Sequence, residues 1–355
     1  MSNNPMNERP FPSPLLAPTC DDRLIWEIWL SRYHLPALTV ADQIGLFSFL
    51  AQSPATIEEV AVGLSLGPRG AEVLLGLLSA LGLLVQRQGH FHLSDEARTY
   101  LLAESPYYHG DILQILNYPV TAATLREWLE NDRAIACGGG EEDVLIRAWE
   151  SGEMSPEMAA KVTSATHAHS FPAAMGVARN GDFSNVHRLL DVAGGSGCFC
   201  IALATRHPNM HFAVMELPTV CKLVEQYAAT YGLQGRIETI AANMFTDPWP
   251  SGYDGVFFAD IFHDWNRAQC LHLAKRSFEI LPPGGRVFIH EVLLNDTKDG
   301  PLVAAAFSMT MLQLKGKQYT ARELAELLQV VGFIGVTVRP TYAYYSLVSA
   351  SKPAE

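Results

Sequence analysis

Positive charge is scarce in this sequence of 355 residues. It has 25 lysines and arginines against 37 aspartates and glutamates, which gives a net charge of −12. Because nucleic-acid binding depends on neutralising phosphates, this balance argues against DNA or RNA as a partner. Long apolar runs are also missing: 48% of the residues are hydrophobic, but no stretch of 18 apolar residues occurs. The composition therefore predicts an ordinary globular protein that does not act in a membrane.

Cysteine pairs with the spacing of metal ligands are missing too. No C-x-x-C motif links the six cysteines, which are Cys20, Cys137, Cys198, Cys200, Cys221 and Cys270. We therefore expect free thiols in a reducing compartment and no metal site. The N-terminus has no basic segment followed by an apolar core, so we expect a cytoplasmic protein.

One stretch, residues 189–208, organises the second half of the chain. A short apolar run ends at Asp191, the small-residue turn AGGSG follows at residues 193–197, and a helical pattern begins after it. Strand, glycine turn and helix form the first β-α unit of a nucleotide-binding α/β sheet. Glycine is needed in this turn because a Cβ atom would keep a ligand away from the backbone.

The next predicted strand ends in an acidic residue, Glu216. A carboxylate at this point can accept hydrogen bonds from both ribose hydroxyls of a nucleoside ligand. The turn AGGSG departs from the dinucleotide fingerprint G-x-G-x-x-G. Its compact form suits a ligand without a pyrophosphate, such as S-adenosylmethionine. A nicotinamide oxidoreductase is disfavoured for the same reason.

The pattern divides the chain into a flexible tail and three further segments: residues 1–22, 23–105, 106–180 and 181–355. The third is a helical connector with a glycine-rich loop at residues 137–140. In the last segment, strands and helices alternate, which indicates a doubly wound parallel sheet. Its predicted strands are residues 188–192, 212–215, 237–241, 255–259, 286–291, 336–339 and 344–349. A polar turn at Pro340 and Thr341 would join the last two strands as an antiparallel hairpin.

Within the second segment, residues 56–93 follow a winged-helix pattern. Thr56 and Glu59 form a capping-box signature before a short helix. A second, longer helix follows, and two short strands come after it. Winged helices often bind DNA, but Arg69 is the only cation on the second helix, which disfavours that function. Residues 23–50 carry an aromatic stripe that has two interpretations, core packing or a subunit interface.

Three polar groups follow predicted strand ends, where ligands bind in open α/β sheets. Asn243 is placed to contact an adenine edge with Met244 against the ring face, although a plain turn is the alternative. His263 is a candidate general base, because an imidazole accepts protons near neutral pH. Glu291 ends the fifth strand, where its carboxylate would orient that imidazole. His167 and His169 diverge on a helix, so a pocket role for one of them is favoured over a metal pair.

These segments resemble the plant-type small-molecule O-methyltransferases, which include the caffeic acid and acetylserotonin O-methyltransferases and their bacterial natural-product relatives. The resemblance runs from about Arg23 to the C-terminus. It is carried by DVAGGSG, ELP, ANMF, HDW and KGKQYT. It implies a class I methyltransferase fold, with a Rossmann-like seven-stranded sheet that ends in an antiparallel hairpin. It also implies a winged-helix domain that forms a homodimer, and S-adenosylmethionine as the cofactor.

The resemblance implies roles for individual residues, with His263 as the catalytic base and Glu291 as one of two acids beside it. The candidate cofactor-binding residues are Asp191, Gly194, Gly195, Gly197, Glu216, Leu217, Asn243, Met244, Phe245 and Asp260. The candidate acceptor-binding residues are Thr166, His169, Phe307, Met311 and Gln318. Tyr319 is a further candidate for gripping an aromatic ring, and for this residue as for Phe307 and Met311 a structural role is the alternative.

Several positions depart from the family pattern. Ala193 replaces the first glycine of the turn, Asn243 replaces an acid near the adenine, and Gln318 replaces the second acid beside the base. A basic residue common near the adenine is missing, since Ala259 and Asp260 stand there. An amide can orient an imidazole but does not raise its basicity as a carboxylate does.

The sequence thus predicts methyl transfer from S-adenosylmethionine to the hydroxyl of a small aromatic acceptor. Because deprotonating a phenol also activates the ring carbon ortho to it, C-methylation of an aromatic amino acid derivative remains as an alternative. A third interpretation, from another functional class, is a cofactor sensor that uses the winged helix on DNA. The sequence does not identify the acceptor.

Overall fold

The structure, a computed structural model, describes residues 18–116, 120–131 and 141–354. Most of the predicted tail and the glycine-rich loop at residues 137–140 lie outside the described residues. The chain divides into two compact units, Met1–Arg98 and Thr99–Glu355. The predicted four-segment division stays a prediction.

In the described part of the first unit, five α-helices precede a hairpin. The helices are α1 (Arg23–Leu30), α2 (His34–Gln43), α3 (Leu46–Gln52), α4 (Ile57–Gly63) and α5 (Pro68–Ala80), and the strands are β1 (Leu84–Arg87) and β2 (His90–Leu93). The predicted capping box begins α4: the Thr56 hydroxyl accepts from the Glu59 N–H (3.2 Å), and the Glu59 carboxylate accepts from the Thr56 N–H (2.7 Å). The two helices and the hairpin follow in the predicted order.

The aromatic stripe divides between the two interpretations that the sequence allowed. Leu46, Phe47 and Leu50 of α3 are buried in the first unit. No residue of α1 is buried, and Trp26 and Trp29 are 50% and 47% exposed. An exposed apolar helix of this kind is unusual on a monomer and is typical of a surface that a partner covers.

No single helix in the described part of the chain is long and apolar enough to cross a membrane. Only α4 and α5 taken together reach the required length and composition, and these two helices are bent by 116° relative to each other.

The second unit begins with helices and continues as an α/β domain. Its first helices are α6 (Asp95–Tyr100), which includes the boundary between the units, α7 (Gly110–Ile115), α8 (Ala122–Asn131), α9 (Glu141–Ser151) and α10 (Pro156–Asn180). The later helices are α11 (Cys198–Arg206), α12 (Pro218–Thr230), α13 (Arg267–Ile280), α14 (Leu302–Met311) and α15 (Ala321–Val331). A 3-10 turn covers Phe262–Asp264.

A seven-stranded sheet forms the centre of this unit. Its strands are β3 (Arg188–Val192), β4 (His211–Glu216), β5 (Ile237–Ala241), β6 (Gly255–Ala259), β7 (Arg286–Val292), β8 (Ile334–Tyr342) and β9 (Tyr345–Ser351). The strand order is β5-β4-β3-β6-β7-β9-β8. The first five strands are parallel, and β9 pairs antiparallel with both β7 and β8. This confirms the predicted class I methyltransferase sheet with its antiparallel hairpin.

The predicted position of the hairpin turn was wrong. Pro340 and Thr341 lie inside β8, and the chain turns at Ala343 and Tyr344. A proline is tolerated there because β8 is an edge strand with a bulge beside Pro340, where a missing N–H breaks no central ladder.

The sheet separates two apolar layers, and residues adjacent along one strand fall in different layers. Leu189 and Phe257 belong to one layer, whereas Leu190 and Phe258 belong to the other. This alternation follows from the two-residue period of a strand, and helices cover both faces, as in parallel sheets generally. The carboxyl ends of β3 to β7 therefore lie at one edge of the sheet.

Candidate active site

The strand order reverses between β3 and β6, which are neighbours in the sheet. A crevice forms at such a reversal because the connections from the two strands leave in opposite directions. Polar residues that the sequence singled out lie at these strand ends: Glu216 is the last residue of β4, Glu291 is the last but one residue of β7, and Asn243 and His263 follow β5 and β6.

The glycine turn after β3 has an unusual backbone. Ala193, Gly195 and Gly197 have φ values of +55°, +57° and +73°. A Cβ atom on Gly194 would lie 2.5 Å from Asp191 Oδ2, so only glycine fits there. Ala193 shows that an alanine is accepted at the first position despite its left-handed backbone.

Asp191 lies behind this turn and is fully buried. Its Oδ2 accepts a weak hydrogen bond from Cys200 Sγ (3.5 Å), and its Oδ1 has no partner among the described residues. Burial raises the pKa of this carboxyl to about 7.

Glu216 ends β4 opposite the turn. Its Oε1 accepts from the Gly195 N–H (3.0 Å) and its Oε2 from the Leu217 N–H (2.7 Å). Burial raises its pKa to about 7, although both backbone bonds act in the other direction. A carboxylate has about four acceptor sites, so two remain for the hydroxyls of a ligand.

A cavity of about 580 Å³ lies over these loops. It brings together many of the predicted site residues: Thr166, His169, Gly194, Gly195, Glu216, Leu217, Met244, Asp260, His263 and Phe307. The other predicted residues are not among its lining: Asp191, Gly197, Asn243, Phe245, Glu291, Met311 and Gln318. Tyr319 is also outside it, since its ring packs in the core and its hydroxyl donates to Trp265 O (2.9 Å).

His263 lies at the wall of the cavity among acidic groups. Its Nδ1 is 2.7 Å from Glu291 Oε2, and its Nε2 is 3.3 Å from Asp264 Oδ1. Glu291 Oε1 also accepts from the His263 N–H (3.2 Å), so one carboxylate fixes both backbone and ring. Gln318 Nε2 lies 3.3 Å from Nδ1. Burial alone would lower the pKa of this imidazole, but the charges of Glu291 and Asp264 outweigh it and hold the pKa well above its ordinary value.

The sequence did not assign a role to Asp264, although it belongs to the HDW motif, or to Tyr345. The Tyr345 hydroxyl donates to Asp260 Oδ2 (3.2 Å) and lies 3.4 Å from His169 Nε2. Burial lowers the pKa of His169 to about 4, so its ring is neutral. No local sequence pattern indicates a role in the site for Tyr345, because the antiparallel hairpin brings β9 to the site.

Ligand atoms of Asp260, His263 and Glu291 lie within 4.8 Å of one another, a spacing that would admit a metal ion. A cation at Nδ1 would compete with the ion pair that a protonated His263 forms with Glu291.

Asn243 makes contacts that its predicted role did not anticipate. Its Nδ2 donates to the carbonyls of Trp149 and Glu150 (both 3.1 Å), and its Oδ1 accepts from the Phe245 N–H (2.8 Å). The amide therefore binds the end of α9, and Trp149 of that helix lines the cavity beside Met244. An aspartate could not donate to these two carbonyls.

His167 lies on the other side of α10 from His169. Its Nδ1 is 2.7 Å from Ser196 Oγ in the glycine turn, and its ring stacks on Tyr227 at 4.2 Å and Phe171 at 5.0 Å. Burial lowers its pKa to about 4. The two histidines face different groups, one the glycine turn and the other the wall around Tyr345.

Comparisons with known proteins agree with this geometry. A family model described as an O-methyltransferase domain matches residues 128–334. The chain is 36% identical over 313 residues to the 3-hydroxy-5-methyl-1-naphthoate 3-O-methyltransferase of Streptomyces sahachiroi, covering 87% of this chain and 88% of that protein. It is 27% identical to the L-tyrosine C(3)-methyltransferase of Streptomyces lavendulae, covering 95% and 94%. The structure of human N-acetylserotonin methyltransferase with S-adenosylmethionine superimposes with a TM-score of 0.80 at 23% identity, covering 95% of this chain and 100% of that one.

Proposed function

The chain belongs to the O-methyltransferase family and is an S-adenosylmethionine-dependent methyltransferase, and from this premise we propose that it methylates a phenolic oxygen of a small aromatic acceptor with His263 as the general base. The observation that carries the proposal is the position of that imidazole. It lies at the cavity wall with Nδ1 2.7 Å from a buried carboxylate.

The cofactor half of the cavity fits S-adenosylmethionine. Glu216 offers free acceptor sites for ribose hydroxyls, and the glycine turn leaves its backbone open to a ligand. Trp149, Leu217 and Met244 supply apolar contacts for an adenine ring. When bound, the cofactor supplies an electrophilic methyl group. The chain must therefore align the acceptor oxygen and remove its proton, and alignment alone can contribute about 7–11 kcal/mol.

The contacts of His263 support different roles for its two nitrogens. The Glu291 carboxylate, 2.7 Å from Nδ1, favours a proton on that nitrogen, which leaves Nε2 to accept the proton of the phenol. The imidazolium that forms is stabilised by Glu291 and by Asp264 Oδ1, 3.3 Å from Nε2. Such general-base catalysis contributes about 10²–10⁴-fold in rate. Because the pKa of His263 is raised, turnover should increase with pH as the imidazole loses its proton.

The acceptor half of the cavity suits an aromatic ring with a polar edge. The Phe307 ring packs 5.2 Å from the His263 ring, next to the position where the acceptor oxygen must lie. Thr166 and neutral His169 provide the polar part of the wall. The relative from Streptomyces sahachiroi acts on a hydroxynaphthoate, which supports a phenolic natural product as the substrate class here.

Methylation at ring carbon is the second candidate. A phenolate formed at His263 would also activate the ortho carbon, and a relative of 27% identity is named as a C(3)-methyltransferase of tyrosine. Oxygen is favoured because the relative of 36% identity is an O-methyltransferase.

We place the protein in the cytoplasm as a homodimer. The described cysteines are free thiols, as expected in a reducing compartment. The exposed apolar residues of α1 provide a surface for a second copy of the chain.

The test uses ¹³C-methyl-labelled S-adenosylmethionine and a panel of hydroxynaphthoates, other phenols and tyrosine derivatives. We expect an O-methyl signal in the NMR spectrum of a phenolic product, whereas a methyl group on ring carbon would support the second candidate. His263→Ala should lose about 10²–10⁴-fold in kcat and still bind S-adenosylhomocysteine. His211→Ala, an exposed histidine at the amino end of β4, is the control and should retain full turnover. Unchanged turnover in His263→Ala would remove the proposed base.

A further inference from the structure

Asp260 has a backbone conformation that fixes the direction of its side chain. It follows β6 directly and has a φ of +54°, in the left-handed region that asparagine and aspartate enter more readily than other residues with a side chain. Its N–H donates to the carbonyl of His290 (3.1 Å). Conformations of this kind persist where the surrounding structure determines them, and they concentrate at functional sites.

The two carboxylate oxygens of Asp260 face different groups. Oδ2 accepts the hydrogen bond from Tyr345, whose ring stacks on His290 at 4.7 Å with an interplanar angle of 6°. Oδ1 is buried, accepts no hydrogen bond from any described residue and lies 3.9 Å from His263 Nδ1. Ligand atoms of Asp260, His263 and Glu291 all lie within 4.8 Å of one another, so Oδ1 belongs to the group of ionisable atoms around the imidazole.

The groups around His263 show which charges lie near its ring besides the carboxylate of Asp260. Glu291 reaches the imidazole from β7, and the ring of Phe307 reaches it from α14. The neutral amide of Gln318 lies beside it and comes from the loop after α14. Asp264 faces Nε2 on the opposite side of the ring. The remaining ionisable neighbours are the neutral His169 of α10 and Tyr345 of β9, which acts through Asp260. On the Nδ1 side, the described residues thus offer two carboxylates, Glu291 and Asp260.

We propose that Asp260 is a positioning residue for the base: its carboxylate places a second negative charge beside His263 Nδ1, where Gln318 offers only an amide, and the Tyr345 hydroxyl holds it there. This inference rests on the proposed function of His263. It assigns Asp260 to the base and not to the cofactor.

The substitution Asp260→Asn isolates the charge. Asparagine tolerates a left-handed backbone and still accepts a hydrogen bond from Tyr345, so the shape of the site is preserved. A carboxylate near an imidazole favours the protonated ring. Burial raises the pKa of Asp260 to about 7, although the charge of His263 acts in the other direction, so the carboxylate is ionised above neutral pH. Where it is ionised, removing its charge should lower the pKa of His263 by about one unit. Tyr345→Phe should lower it by less, because the carboxylate remains but loses a donor that stabilises its charge.

The experiment is an NMR titration of the full-length protein labelled with ¹⁵N-histidine and saturated with S-adenosylhomocysteine. The His263 signal is assigned from its absence in His263→Ala. We expect the lowered pKa in Asp260→Asn, a smaller change in Tyr345→Phe, and a Kd for S-adenosylhomocysteine within about twofold of the wild type in both. An unchanged pKa of His263 in Asp260→Asn overturns the proposal. If the Kd of that variant for S-adenosylhomocysteine is also weakened tenfold or more, Asp260 is a cofactor contact instead. The titration needs no acceptor, so failure to methylate any phenol would count against the proposed function alone.

Discussion

The substitution Asn243→Asp changes one atom of a side chain whose amide joins α9 to the loop after β5. In the wild type, both amide hydrogens are donated to the Trp149 and Glu150 carbonyls at 3.1 Å. Aspartate keeps the acceptor for the Phe245 N–H but turns two attractive contacts into repulsion between oxygens. These carbonyls belong to the last turn of α9, the negative end of the helix dipole, so a carboxylate is further disfavoured there.

The magnitude follows from these contacts. Two lost hydrogen bonds between neutral groups cost about 0.5–1.5 kcal/mol each, and the repulsion from the helix end adds about 0.3–1 kcal/mol. We therefore expect Asn243→Asp to lower the free energy of unfolding by about 1–4 kcal/mol at pH 8. Part of this loss should be recovered at low pH, because a protonated carboxyl can donate one hydrogen bond. Trp149 lines the cavity, so the affinity for S-adenosylhomocysteine should fall as well.

The matched control is the same chemical change at Asn266. This residue caps the N-terminus of α13, where its Oδ1 accepts from the Ala268 and Gln269 N–H groups. Aspartate is an equally good N-cap and suits the positive end of the helix dipole, so Asn266→Asp should be neutral or slightly stabilising. Urea denaturation and calorimetric titration measure both effects. Equal stability and equal cofactor affinity in the two variants would refute the reasoning. If Asn243→Asp does not fold, Asn243→Ala should give an intermediate loss.

Three further predictions concern the cofactor site and the first unit. Glu216→Gln removes the charge that would accept from ribose hydroxyls and should weaken S-adenosylhomocysteine binding about 10–100-fold in calorimetry, whereas Glu225→Gln, on the exposed side of α12, should not. Asp191 has a pKa of about 7 when folded and an ordinary value near 4 when unfolded, so its contribution to stability is present at low pH and is lost as the pH rises between these values. Asp191→Asn should therefore gain about 1–3 kcal/mol relative to the wild type between pH 5 and pH 8, and parallel stability curves would contradict this. Replacing Trp26 and Trp29 together with serine should shift the protein from dimer to monomer in sedimentation, with exposed Val73→Ser as the control; an unchanged sedimentation coefficient would place the subunit interface elsewhere.

Local signals in the sequence were enough for the sheet and for the position of Glu216 at the end of β4. The bounds of β3, β5 and β6 are those predicted, because each of these short runs ends sharply at a polar or glycine-rich turn. Glu216 was placed for the same reason, since the end of a parallel strand determines the edge on which its side chain lies.

Contacts between distant segments could not be predicted in this way. Asn243 and Trp149 are 94 positions apart, and nothing in the pattern near either residue indicates that the amide is engaged by α9. The acidic surroundings of His263 were only half anticipated: Glu291 follows a strand end, whereas Asp260 reaches the ring through a left-handed backbone that sequence periodicity does not report. The roles proposed for the site residues and for the winged-helix domain stay predictions.

The helix α10 has a consequence for any attempt to change the acceptor range. His167 and His169 stand two positions apart on it, the first hydrogen-bonded to Ser196 in the glycine turn and the second beside Tyr345. A replacement that enlarges the pocket near His169 and tilts the helix would also shift the glycine turn, which we propose binds the cofactor. Redesign aimed at bulkier aromatic compounds should therefore start from Phe307 on α14, which reaches the same pocket from a helix without a bond to that turn in the described residues.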